Sequence, residues 1–520
     1  LAAVLSASVP ALSAPAGASE PINGGGSTWS AVAIQQWQGD VAREGLTVNY
    51  QATGSTAGRQ GYTAGTYDFA VSEIPFQPKY CTNPSDPNTC YDELTQPGLL
   101  ARPYLYMPIV AGGTSLLYNL TIQGQRFTHL RLDPVTLTKI FTGGITNWDN
   151  PAIAADNPGV QFPNLQIQPV VRSDGAGTSY QFTAFLAYED AGDWSAFCRR
   201  AGIAQSPCPP TSQFPYSALP NSQAVDGSDG VANWVGAPYN NGSIGYAEAA
   251  YGYTNGIPLA SLRNAAGVYA QPTPQAVAVA LTRAIINADH TQNLYGVYAN
   301  PDPRTYPMSS YSYMVVPITD SAPMDLSKGQ TLSRFILYFL CQGQQEAAPL
   351  YYSPLPPNLV EIGFSVEQRI PGAAPPPPLR ACNDPTITDG FLNGIGTPTV
   401  RGQGGGPTSG AVGPAGTTPA SGPATTAASG AAGAGRNNAD AVAVRSSASS
   451  GSRGARASAR SSHSSTTDTT ASPELAVSSP QLYGRPFRPT AVEVSVLVVV
   501  VLVALILGPP AVALRRRRSR

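Results

Sequence analysis

Three short segments carry the residue types that hold an oxyanion. They are Gly24-Gly25-Gly26-Ser27-Thr28-Trp29, Thr53-Gly54-Ser55-Thr56-Ala57-Gly58 and Arg172-Ser173-Asp174-Gly175-Ala176-Gly177-Thr178. Each sets glycines and hydroxyls where an extended stretch gives way to a helical pattern. At such a turn the first N–H groups of the helix lack intrahelical acceptors and the positive end of the helix dipole points outward. That combination cradles an anion. A single Gly-rich turn is weak evidence, since most of them only reverse the chain; three in one region, one with an adjacent Arg, say more. The planar fork of Arg172 suits a tetrahedral oxyanion, and Asp174, two residues on, is placed to orient the guanidinium. Asp68, in Thr66-Tyr67-Asp68-Phe69-Ala70-Val71-Ser72, is the acid among these residues. A carboxylate near an anion repels it unless the anion carries a proton to donate.

These turns need a scaffold of strands and helices. Leu46–Tyr50 and Ile167–Val171 read as strands. Trp29–Val41 reads as a helix, with apolar residues at 29, 32, 33, 37 and 41. Asp133-Pro134 opens another helix with a capping acid and a first-turn proline, and Gly143-Gly144 closes it. Thr273-Pro274 starts one in the same way, and Gln330–Cys341 reads as a late apolar helix. Strand–helix alternation over residues 20–371 predicts an α/β unit of open sheets covered by helices.

Composition limits the alternatives. The chain has 520 residues, 42% hydrophobic and 12% charged, with 52 Gly and 50 Pro. Residues 20–398 hold 17 basic and 27 acidic side chains, a net of −10, whereas 399–520 hold 13 Arg and 4 acids, a net of +9. An acidic folded part argues against a nucleic-acid-binding face. Residues 1–19, small and apolar, read as the remnant of a signal peptide. Residues 372–490, rich in Pro, Gly, Ala and Ser, read as a disordered linker that cannot bury enough apolar area to order itself. Residues 491–514, uncharged from Val494 onward, match a membrane span. The basic tail 515–520 marks the cytoplasmic side, so the bulk of the chain is expected outside the membrane. The six cysteines fit an oxidising compartment. Fifteen pairings are possible, and the short loops favour Cys81–Cys90, Cys198–Cys208 and Cys341–Cys382. No Cys-x-x-Cys or nearby His pair points to zinc or another metal, and no cofactor is expected.

At several of these motifs the chain resembles the extracytoplasmic phosphate-binding proteins of high-affinity phosphate ABC transporters. The resemblance covers residues 20–371. It rests on the Gly-rich start, Asn49–Ser55, Ala64–Phe69, Gly144-Ile145-Thr146-Asn147-Trp148-Asp149, Arg172–Thr178 and Gly242–Glu248. The start Ile22-Asn23-Gly24-Gly25-Gly26 looks like the DING branch of that superfamily. The resemblance implies a two-lobe, hinged fold of the type II periplasmic-binding-protein kind. Lobe 1 would span about 20–112 and 272–371, lobe 2 about 113–271, with inorganic phosphate enclosed between them. Carried over by motif, Thr28, Trp29, Ser55, Arg172, Gly177 and Thr178 would donate to phosphate, and Asp68 would accept its proton and so reject sulfate. Two departures stand out. Ala176 replaces the usual Ser, leaving only its backbone N–H, and Ser72-Glu73-Ile74-Pro75 replaces the usual Ser-Asp-Ala-Pro.

The expected function is a membrane-tethered receptor, outside the bacterial cell membrane, that delivers phosphate to an ABC permease. A phosphate-ester hydrolase on the same scaffold is the enzymatic alternative. The chain has three His, none near the turns in sequence, and Gly54-Ser55-Thr56-Ala57-Gly58 puts Thr where a nucleophile elbow needs Ser. A cell-surface interaction or sensing protein that retains phosphate binding is the third reading.

Overall fold

Most of the extended runs pair into one sheet and are followed by an amphipathic or apolar helix, Ile22–Gly26 by Ala31–Arg43 and Val48–Gln51 by Ser55–Thr63 for example. The computed structural model describes residues 19–388, except 79, 82–89 and 204. In chain order its main elements are β1 (Ile22–Gly26), α1 (Ala31–Arg43), β2 (Val48–Gln51), α2 (Ser55–Thr63), β3 (Phe69–Ser72) and β4 (Tyr104–Asn119). There follow β5 (Gln168–Arg172), α3 (Gly177–Glu189), β6 (Gln223–Val225), α4 (Gly227–Gly236), β7 (Ser243–Glu248), β8 (Ser309–Pro317) and α5 (Leu326–Leu340). The strands form an eight-stranded sheet in the order β6-β5-β7-β4-β8-β3-β1-β2.

The sheet has two parallel ends and an antiparallel middle. β2, β1 and β3 are mutually parallel at one end, and β7, β5 and β6 at the other. β4 joins them. Its Tyr104–Gly113 stretch pairs with β8, and its Thr114–Asn119 stretch pairs with β7. The register of β4 and β8 shifts between Ser312 and Tyr313, where Ile109 is the extra residue on β4. A bulge of this kind bends a strand and re-aims its side chains. This is an α/β fold, as the alternation of elements predicts.

The expected helix signals hold. Asp133 caps Pro134–Phe141 by accepting from the Val135 N–H, and Thr273 caps Pro274–Leu281 by accepting from the Ala276 N–H. α5 starts earlier than the periodicity indicates, at Leu326, with Asp325 as its cap. Helices pack on the sheet through large aromatic rings. Trp37 of α1 stacks on Phe339 of α5 with centroids 5.0 Å apart, and Phe182 of α3 stacks on Tyr246 of β7 at 4.2 Å. Such a pair adds about 0.5–1.5 kcal/mol beyond its buried area, in the first case between two helices and in the second between a helix and its strand.

Two of the expected disulfides are formed, Cys198–Cys208 and Cys341–Cys382. The backbone register sets Cys81 opposite Cys90 across a short antiparallel pair, but their side chains lie outside the described residues. The packed chain runs past the expected boundary at 371. Cys382 is buried, and Thr386 Oγ1 donates to the Leu355 carbonyl at 2.8 Å. The signal-peptide remnant up to residue 18, the linker beyond 388, the span at 491–514 and the basic tail lie outside the described residues. Among the described residues, no helix is long and apolar enough to cross a membrane.

Candidate functional site

The strand directions place the anion turns together. Each parallel half gathers the carboxyl ends of its strands on one edge, where ligands of open α/β sheets bind. Because β7, β5 and β6 run opposite to β1, β2 and β3, the two edges face each other across the middle of β4. Ser27, Thr28 and Trp29 follow β1, Ser55 follows the β2 turn, and Asp174 to Thr178 follow β5. Glycine makes the first two turns possible. Gly26 has φ +132°, and a Cβ there would lie 2.2 Å from the Val71 carbonyl oxygen. Gly54 has φ +88°, and a Cβ would lie 2.4 Å from Asp174 Oδ2, so the second turn touches the third.

Contacts run directly between the two ends of the sheet. The Gly177 N–H donates to Ser55 Oγ at 3.0 Å, and the Thr56 N–H donates to the Gly175 carbonyl at 2.9 Å. Thr28 Oγ1 lies 3.0 Å from Ser228 Oγ, and the Ser228 N–H donates to Thr28 Oγ1 at 3.2 Å. Tyr251 OH donates to the Thr28 carbonyl at 2.5 Å. Ser27, Thr28, Ser55, Arg172, Thr178 and Ser228 are all buried. Trp29 is buried too, but its indole Nε1 donates to Thr114 Oγ1 at 3.2 Å, so the ring packs behind the turn rather than into it.

Arg172 is held as the sequence suggests. Its Nε donates to Asp174 Oδ1 at 2.6 Å, its Nη2 pairs with Oδ2, and its Nη1 donates to Ser228 Oγ at 3.2 Å. Burial by itself would lower the guanidinium pKa, but the adjacent Asp174 charge and hydrogen bond raise it overall, so the group stays charged. Asp174 also accepts from the Gly227 N–H at 3.2 Å, tying α4 to the same turn.

Asp68 does not join this group. Its Oδ2 accepts from the Asn23 N–H at 2.7 Å and its Oδ1 pairs with Lys328 Nζ of α5 at 3.1 Å. The acid among the anion turns is Glu73. Its carboxylate accepts from Ser27 Oγ, from Ser55 Oγ at 2.7 Å and from Ser312 Oγ at 2.6 Å, and it is 1% exposed. The reason is strand polarity. Asp68 precedes β3 and Glu73 follows it, and five residues of strand separate the two by about 16 Å. Only the residue at the carboxyl end reaches the edge where β1 also ends, which the carboxyl end of β5 faces from the other half of the sheet. Chain direction was therefore the signal that could have distinguished the two acids.

Ala176 caps α3 without a side-chain bond, and its N–H is already taken by the Ser212 carbonyl at 2.9 Å. The backbone donor expected there is thus engaged, as is that of Gly177, which donates to Ser55 Oγ. Sequence reading missed Ser27, Glu73, Ser228 and Ser312 as members of the cluster. Ser228 had a signal, since Asp226-Gly227-Ser228 lies between β6 and α4 like the other turns. Ser312 lies within β8 and had none. Among the described residues, no group of three His, Cys, Asp or Glu stands close enough to hold a metal ion.

This arrangement matches known proteins. The PBP superfamily domain matches residues 11–342. The phosphate-binding protein PstS of Xylella fastidiosa (strain Temecula1 / ATCC 700964) is 31% identical over 342 residues, 65% of this chain and 83% of the relative. The chain belongs to the PstS phosphate-binding protein family. A second PstS, from Haemophilus influenzae, is 28% identical over 346 residues, covering 65% of this chain and 90% of its own length. Among solved structures, a high-affinity periplasmic phosphate-binding protein, PfluDING, bound with phosphate, aligns with a TM-score of 0.50. It has 19% identity and covers 73% of this chain and 100% of its own, a likeness of fold. These PstS relatives are named as binding proteins, and the hydrolase reading gains no support from them.

Proposed function

We propose that this chain is a receptor that encloses inorganic phosphate between two lobes, about 20–112 with 272–371 and about 113–271, and delivers it to an ABC permease. The observation that carries the reading is that buried hydroxyl and N–H groups from both halves of the sheet meet beside one buried carboxylate, Glu73, and one buried guanidinium, Arg172. Thr28 and Ser55 come from one end, Arg172, Gly177 and Thr178 from the other, with Asp174 holding Arg172. β4 passes between the halves and supplies part of the hinge, and the Gly112-Gly113 pair lies where it changes partners.

Glu73, rather than Asp68, takes the role of proton acceptor. Facing a buried carboxylate, phosphate can donate its proton, whereas fully ionised sulfate brings only acceptor oxygens. The 491–514 segment is proposed to anchor the receptor to the membrane with the linker as a tether, leaving the binding lobes outside the cell membrane.

Titrating the full chain with phosphate, arsenate and sulfate by calorimetry tests the assignment. Phosphate and arsenate should bind, with sulfate at least about a hundredfold weaker, as expected where a buried acceptor is left unpaired. Failure of phosphate to bind, or parity with sulfate, would refute it. At position 176, Ala176→Ser should tighten phosphate severalfold, by about 0.5–1.5 kcal/mol for one added hydrogen bond. Weaker binding by the same titration would show that the new hydroxyl caps α3 and does not reach the ligand.

A further inference from the structure

Glu73 is gripped from both sides of its own strand. β3 lies between β8 and β1 in the sheet. From the β1 side Ser27 Oγ donates to Glu73 Oε1, and from the β8 side Ser312 Oγ donates to the same oxygen at 2.6 Å. The other oxygen, Oε2, accepts from Ser55 Oγ at 2.7 Å. Ser27 and Ser312 are each 0% exposed, so water does not compete for either bond.

An ionised carboxylate has about four acceptor positions, two on each oxygen. The pair of serines fills both positions on Oε1, and Ser55 fills one on Oε2. One position remains, and its direction is set. Oε2 lies against the first turn of α3, since a Cβ on Gly177 would stand 2.3 Å from it. The remaining acceptor therefore faces the turn that carries Gly177 and Thr178, with Ser55 bridging to the Gly177 N–H at 3.0 Å.

We propose that Ser27 and Ser312 are specificity-determining positioning residues. By saturating Oε1 they fix the carboxylate plane so that its one open acceptor points at the bound anion, where only a protonated oxygen satisfies it. They do this through Glu73, without touching the ligand. The bulge at Ile109 serves the same arrangement, because the register of β8 changes immediately after Ser312. This inference rests on the phosphate-receptor reading of the site.

The test uses the full chain and its Ser27→Ala/Ser312→Ala, Ser312→Ala and Ser312→Thr variants, each titrated with phosphate and with sulfate. With both serines removed, Oε1 is freed, the carboxylate turns, and its acceptor leaves the ligand. The ratio of sulfate to phosphate dissociation constants should then fall by about tenfold or more, the scale of one hydrogen bond to a charged group. Ser312→Ala should lower the ratio part of the way, and Ser312→Thr, which keeps the hydroxyl, should hold the parent ratio. Equal weakening of both anions in the alanine variants would overturn the proposal and leave the serines a merely structural role. If the double variant does not fold, an unchanged ratio in Ser312→Ala overturns it equally. Absence of phosphate binding by the parent would instead defeat the receptor reading itself.

Discussion

Arg172→Lys should weaken phosphate binding by roughly a hundredfold or more while leaving the protein folded. The guanidinium is 1% exposed and three of its donors are engaged, Nε and Nη2 on Asp174 and Nη1 on Ser228. A lysine ammonium keeps the charge but cannot bridge Asp174 in bidentate fashion while holding a third donor toward the anion. Losing one or two charge-assisted hydrogen bonds costs about 1.5–3 kcal/mol each, and every 1.4 kcal/mol is tenfold in affinity. Because the substituted residue also orients Ser228, the loss should extend to the Thr28 side of the cluster. Calorimetry gives the affinity and a thermal melt separates it from unfolding. A folded Arg172→Lys variant that binds within threefold of the parent would remove Arg172 from the ligand's contacts.

Glu73→Gln should invert part of the anion preference. The amide offers an N–H where the carboxylate offered only acceptors, so sulfate gains a donor and phosphate loses a charged partner. Sites built around one buried hydrogen bond discriminate by about four to five orders of magnitude, so the sulfate-to-phosphate ratio should drop by about a thousandfold. Asp68→Asn is the control. Its carboxylate holds Lys328 Nζ at 3.1 Å and the Asn23 N–H at 2.7 Å, so its loss should lower stability by about 1–3 kcal/mol and leave the anion ratio alone. Competition titrations of the two variants decide between the acids. A ratio that moves with Asp68→Asn and stays with Glu73→Gln would restore the proton-acceptor role to Asp68.

The helices were legible because their signals are local. Asp133-Pro134 and Thr273-Pro274 cap their helices as read, since a cap needs only the three residues that follow it. The cysteine pairs at 198/208 and 341/382 were likewise readable from order along the chain. The boundary at 371 was less legible. The proline run that follows it resembles a linker in composition, yet Cys382 and Thr386 pack against the domain through contacts that composition does not encode.

Residue types at strand-to-helix turns pointed to an anion site with Arg172 and Asp174 in it, and the family resemblance added Thr28, Ser55, Gly177 and Thr178. Helix dipoles and unpaired N–H groups are properties of a turn, so a one-dimensional reading can find them. Which acid lies among the turns was decided only in three dimensions. Glu73 and Asp68 are five positions apart and chemically alike, but β3 carries one to the binding edge and the other to Lys328 at the opposite end. Ser312 could not be found in the sequence at all, because it enters through an antiparallel neighbour distant in the chain, and long-range strand pairing has no local signature.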